Sequence, residues 1–114
     1  MAKRAAASVT VRGSKTGRPI MVLLDLLGRR WTLRILWELR DGVLTSRGLR
    51  AACGDASPTV VQQRVSELRK AGFVEKHDKG GYALTVTGRE LLQTFWPLHE
   101  FAARWQGGKK DVAQ

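Results

Sequence analysis

One cysteine in 114 residues cannot form an internal disulfide, so this is not a small scaffold stapled by bridges. Cys53 standing alone agrees with a reducing compartment. Long hydrophobic runs are also missing. No uncharged apolar stretch approaches the ~20 residues that span a bilayer, and none resembles the core of a signal peptide. A cytoplasmic protein with no membrane partner is expected. Catalytic side chains are scarce too: His77, His99 and Cys53 fall in a presumed loop, on the last helix and on a short inner helix face. No nucleophile, base and orienting group converge, and no Cys or His pair has zinc spacing, so the reading is no enzyme, no metal and no cofactor.

Acid is the other shortage. Ten Asp and Glu face twenty Lys and Arg, a net charge of +10, which attracts polyanions such as nucleic acid or an anionic membrane. The first 18 residues hold no acid at all, but carry Lys3, Arg4, Arg12, Lys15 and Arg18. With few large apolar residues to bury, residues 1–18 read as a disordered basic arm. A basic, Ser-containing start also resembles an organellar transit peptide, but it lacks an Arg-rich amphipathic helix, which favours an arm that touches phosphates.

The hydrophobic fraction of 43% suffices for one packed domain, placed at residues 19–106, with GGKKDVAQ at 107–114 as a flexible tail. A domain this small keeps much surface exposed, so pairing with a second copy would help it. Ile20, Leu23, Leu24 and Leu27 fall at i, i+3, i+4 and i+7 on a first helix opened by Pro19 and closed near Gly28. A second helix is expected from about Arg30 to Arg40, burying Trp31, Ile35, Leu36 and Leu39, with Gly42 as its stop. Val43 and Leu44 form an extended link. Ser46 then caps a short helix with Leu49, Ala52 and Cys53 inward, and Gly54-Asp55 breaks it.

The next helix has a clear start and stop. Ser57 is the N-cap, Pro58 takes the first helical position, and Val61, Val65 and Leu68 form the core stripe. Arg69, Lys70 and Gly72 mark the end. FVEKH and YALTV, separated by Asp78-Lys79-Gly80-Gly81, make a hairpin with a basic, glycine-rich tip. Thr87-Gly88-Arg89-Glu90 reads as a capping box opening the last helix. There Leu91, Phe95, Leu98, Ala102 and Trp105 form an apolar seam, and Pro97 predicts a kink or restart.

The fold class is therefore mostly α with a small β-hairpin wing, an α+β winged helix-turn-helix. In that arrangement the helix after the turn enters the major groove of duplex DNA. Its core takes Val61, Val65 and Leu68, leaving Thr59, Gln62, Gln63 and Ser66 outward. Base edges are read by such neutral hydrogen-bonding groups, whereas clinging to phosphate needs Lys and Arg. Gln62 and Gln63 are the base-reading candidates. The bland reading, solvation of an ordinary amphipathic helix, competes with this.

LDLLGRRWTLRILWEL, SPTVVQQRVSELRKAGFVEKH and YALTVTGRELL, with the apolar run to Trp105, resemble the HxlR-type family of winged-helix regulators, relatives of the MarR type. The resemblance covers residues 18–105. It implies a homodimer formed by the first and last helices, through Leu23, Leu27, Phe95, Leu98, Phe101 and Trp105. It also implies one recognition helix per half-site of an inverted repeat. Ser57, Thr59, Gln62, Gln63 and Arg64 would approach bases and phosphates, Lys76, His77 and Lys79 the flanking backbone, with Arg47 and Arg50 as phosphate clamps.

The sequence departs from that family in two places. Arg18 stands before Pro19 where a cysteine is usual, so redox sensing by that thiol is unavailable. Thr45-Ser46 replaces the usual Arg-Phe pair before the third helix. The expected function is sequence-specific transcriptional regulation in the nucleoid. Its rival is a nonspecific or chromosome-associated DNA-binding protein, which should carry a more basic recognition face. Trp31, Trp37, Trp96 and Trp105 either line a pocket for a small-molecule effector or are core.

Overall fold

The computed structural model describes residues 17–113, with side chains as far as Gly107. Most of the basic arm, with Lys3, Arg4, Arg12 and Lys15, therefore lies outside the described residues. Helix α1 spans Pro19–Leu27, with Pro19 at the first helical position and Arg18 in an extended N-cap conformation. A missing N–H costs nothing there, because that donor has no partner within the helix anyway. The buried face is rotated from the expected stripe. Leu26 is fully buried and Leu23 and Leu27 pack against the core, whereas Ile20 and Leu24 are each 54% exposed. PIMVLLDLL is apolar almost all round, so its spacing could not select the face that packs.

Helix α2, Thr32–Glu38, begins two residues later than expected and ends in a 3-10 turn, Leu39–Asp41. The delay comes from Trp31, whose φ of +77° lies in the left-handed region and interrupts helical backbone. That conformation costs a bulky residue on the order of 1–3 kcal/mol unless its surroundings hold it. Trp31 is held by packing against the core. Ile35, Leu36 and Leu39 lie at the centre of that core.

Helix α3, Ser46–Ala52, is capped by Thr45 and not by Ser46: Thr45 Oγ1 accepts from the Gly48 amide at 3.0 Å. Leu49 and Cys53 are buried as expected. After the turn at Gly54 and Asp55, both at positive φ, comes α4, Pro58–Lys70. Ser57 occupies its N-cap position but its hydroxyl makes no capping bond. At the other end the Gly72 amide donates to Arg69 O at 3.0 Å and the Phe73 amide to Leu68 O at 2.9 Å, a Schellman arrangement around Gly72 at φ +88°.

Strands β1, Val74–Lys76, and β2, Tyr82–Leu84, pair antiparallel with Glu75 opposite Ala83. The link before α3 joins them, since Leu44 exchanges backbone hydrogen bonds of 3.0 and 2.8 Å with Tyr82. Gly81 sits where this link crosses the hairpin; a Cβ there would come within 2.9 Å of Leu44 O.

Helix α5 is Val86–Ala113. Its cap is Thr85, two residues before the expected box at Thr87. Thr85 Oγ1 accepts from the Gly88 amide at 2.9 Å and donates to Gly72 O at 2.6 Å. The second bond crosses to the end of α4, so tertiary contact selects this threonine. Gly88 is required here because any Cβ would overlap the Phe73 carbonyl. Pro97 does not restart the helix, whose backbone stays helical to Ala113, through most of the expected tail. Leu91 and Leu92 are buried and Phe95 half-buried, but from Trp96 to Gly107 every residue is exposed. Among the described residues no helix is long and apolar enough to cross a membrane.

Candidate nucleic-acid interface

Val61, Val65 and Leu68 fix which side of α4 faces inward, and Thr59, Gln62, Gln63 and Ser66 are all exposed on the other side. Adjacent helical residues diverge by about 100°, so the two glutamines look in different directions. Gln62 leans toward α3, where its Nε2 donates to Ser46 Oγ at 2.6 Å. Gln63 borders a cleft of about 360 Å³ shared with Leu24, Asp25, Gly28, Arg29, Arg64 and Glu67. Ser57 is exposed at the start of the helix, and Arg47 is exposed on α3. Arg50 is half-buried, and its Nε donates to Ala56 O at 3.3 Å, which braces the turn between α3 and α4.

Arg64, expected to approach bases and phosphates, is bonded within its own chain. Its side chain is only 17% exposed, and its guanidinium is given to its own chain. Nη1 donates to both Glu67 carboxylate oxygens at 3.0 and 3.1 Å, and Nε to Arg30 O at 2.9 Å. Glu67 also accepts an ion pair from Arg29 at 3.2 Å, and Arg29 in turn pairs with Asp25 at 3.0 Å. Burial works against the Arg29 charge, but Glu67 and Asp25 outweigh it and hold its pKa above the ordinary value. Sequence spacing signals the local pairs, Asp25 with Arg29 and Arg64 with Glu67. The long-range pair, Arg29 with Glu67, carries no local signal.

The wing places Lys76, His77 and Lys79 at its exposed end. The His77 amide donates to Gly81 O at 2.9 Å, and His77 Nδ1 accepts from the Lys79 amide at 3.3 Å, which fixes the loop carrying the lysine. A cation on this loop therefore projects from an ordered tip.

Of the expected dimer residues, Leu23, Leu27 and Phe95 pack against the core of their own chain, whereas Leu98, Phe101 and Trp105 are 57%, 52% and 54% exposed. Of the four tryptophans, two are stacked on each other. Trp37 and Trp96 stack at 5.4 Å with His99 5.0 Å from each, and the Arg40 guanidinium covers Trp37 at 4.4 Å. Beside them runs an almost wholly apolar groove of about 360 Å³, lined by Leu33, Arg34, Trp37, Phe95, Leu98, His99 and Ala102. Cys53 is buried, and burial pushes its thiol pKa up; the guanidinium of Arg34 opposes that shift and Glu38 reinforces it. Arg34, whose Nη2 donates to Ala52 O at 2.7 Å, is the basic group beside this thiol. Among the described residues no group of three or more His, Cys, Asp or Glu is arranged to hold a metal ion.

The HxlR-like helix-turn-helix family model matches residues 26–110. An HTH-type transcriptional regulator of Methanocaldococcus jannaschii is 28% identical over 94 residues, covering 78% of this chain and 87% of the relative. Among solved structures, quinone-bound YodB from B. subtilis is 26% identical with a TM-score of 0.68, over 75% of this chain and 96% of that one. A possible HxlR family transcriptional factor from Thermoplasma volcanium is 26% identical with a TM-score of 0.67, over 74% and 81% of the two chains. Both structures share the overall fold of this chain over about three quarters of its length. The chain belongs to the HxlR-like helix-turn-helix family and is a transcriptional regulator with a winged helix-turn-helix DNA-binding domain.

Proposed function

We propose that this protein binds duplex DNA sequence-specifically, as a homodimer on an inverted-repeat operator, in the cytoplasm at the nucleoid. The observation that carries this reading is the outward face of α4. Thr59, Gln62, Gln63 and Ser66 are exposed together there and none is charged, the basic side chains Arg69 and Lys70 being confined to the last turn. Such a face matches base edges in the major groove, whereas a binder indifferent to sequence would present Lys and Arg. Arg47 beside the helix and Lys76, His77 and Lys79 on the wing supply phosphate contacts on either side, with Arg50 bracing the turn between. The domain is assigned to residues 19–106, with the basic arm adding nonspecific attraction. Leu98, Phe101 and Trp105 supply the seam through which two copies pair. An effector, if one acts, has the apolar groove beside Trp37 and Trp96 available to it.

Selection from a randomised duplex pool by the full-length protein tests this. Enrichment of an inverted repeat, with half-sites about one helical turn apart, is the expected outcome. Tight binding with no enriched sequence would instead establish a nonspecific DNA-binding protein.

A further inference from the structure

We propose that the turn Gly28–Trp31 is a further DNA contact of this domain, in which Arg30 binds a backbone phosphate on the Gln63 side of α4 and Arg64 is the positioning residue that holds it there. The proposal rests on the DNA-binding reading above and adds a site to it. Arg30 is exposed. Its neighbours Arg29, Arg34 and Arg64 all pair with carboxylates, whereas Arg30 has no carboxylate partner among the described residues. Its guanidinium rests 5.2 Å from the centre of the Trp31 ring. At an exposed position such a cation–π contact is weak and is readily exchanged for a phosphate.

The position of Arg30 is set by α4 itself. Arg64 Nε donates to the Arg30 carbonyl at 2.9 Å, and the left-handed Trp31 that follows fixes the direction of the turn. The Thr32 amide closes it on Arg29 O at 3.2 Å. The opposite flank of α4 is built alike: Gln62 bonds to Ser46, and the next residue is the exposed Arg47. Each side of the recognition helix is thus tied to a neighbouring element that carries one exposed arginine. A helix lying in the major groove, about 12 Å wide, has a phosphate chain along both edges. Arg30 and Arg47 are placed to meet one each.

The test titrates salt against binding of the full-length protein to two duplexes, one enriched by the wild-type protein from a randomised pool and one of arbitrary sequence. Arg30→Ala should weaken both by a similar factor, about fivefold at physiological salt, and reduce the salt slope by about 1. Arg30→Lys should keep the slope. Arg64→Lys retains the charge but loses the fork, so it should weaken binding, and Arg30→Ala combined with Arg64→Lys should be no weaker than Arg30→Ala alone. Unchanged affinity and slope for Arg30→Ala, with wild-type binding intact, would overturn the Arg30 contact alone. Multiplying losses in the double variant would overturn the positioning role and return Arg64 to direct contact. A wild-type protein that binds neither duplex would remove the DNA-binding reading, and this contact with it.

Discussion

The guanidinium of Arg29 lies 3.2 Å from the carboxylate of Glu67, and this ion pair joins the turn after α1 to the last turn of α4. Both side chains are about one-fifth exposed, so the pair is neither dry nor freely screened. Glu67→Ala leaves Arg29 and Arg64 without their shared acceptor and should cost on the order of 1–2 kcal/mol, less than a buried pair because water reaches it. Urea unfolding with an unchanged m-value is the measurement. Destabilisation below a few tenths of a kcal/mol would mean that water replaces the carboxylate.

Gln62 and Gln63 are neutral and sit on a packed helix, whereas Lys79 is a flexible cation on the wing loop. Either Gln→Ala substitution should cost about 1–3 kcal/mol on the selected duplex and little on arbitrary DNA. Lys79→Ala should weaken both duplexes alike and reduce the salt slope by about 1. Equal losses on both DNAs for the glutamine variants would refute base reading. The Gln62 bond to Ser46 adds a specific expectation: Ser46→Ala frees the amide and should alter preference at the same operator position as Gln62→Ala.

Leu98, Phe101 and Trp105 fall at helical spacing and are more than half exposed, an apolar surface that one chain leaves uncovered. If two copies pair through this seam as proposed, the wild type should sediment as a dimer and Leu98→Asp with Phe101→Asp as a monomer, without loss of helix content, because neither side chain is in the core. A variant that still sediments as a dimer would remove this seam from the interface.

Cys53 offers a pH test. Burial raises its thiol pKa, so between the ordinary thiol value and the raised one the folded chain keeps a proton that the unfolded chain releases. Stability contributed by the thiol is intact below that window and declines as pH rises through it. Cys53→Ala should flatten this alkaline loss while leaving DNA binding unresponsive to diamide, as in the wild type. Oxidant-sensitive DNA binding in the wild type that disappears in Cys53→Ala would make the thiol a sensor.

What could be read in advance was local. The stripe Val61, Val65 and Leu68, the Pro58 start and the Gly72 stop specify α4, because each acts within a turn or two of backbone. The glycine-rich hairpin and the uneven charge were equally plain. The expected cap at Thr87 shows the limit: Thr85 and Thr87 both precede a helix-forming run, and only the bond from Thr85 to Gly72 O decides between them. Thr45 and Ser46 posed the same ambiguity.

The amino-acid sequence by itself determined the order of helices, the wing and the neutral side chains, Thr59 to Ser66, on the outward face of α4 ahead of its basic end, since periodicity, caps and charge sign are properties of short segments. Tertiary structure alone decided which face of α1 packs, because a helix apolar at every position but Asp25 offers little preference of side until its neighbours are in place. It likewise decided that Arg64 turns inward while Gln62 and Gln63 stay outward. An arginine takes the nearest acceptors with fitting geometry, and for Arg64 these are Glu67 on its own helix and the carbonyl of Arg30, brought beside it only when the turn after α1 folds against α4.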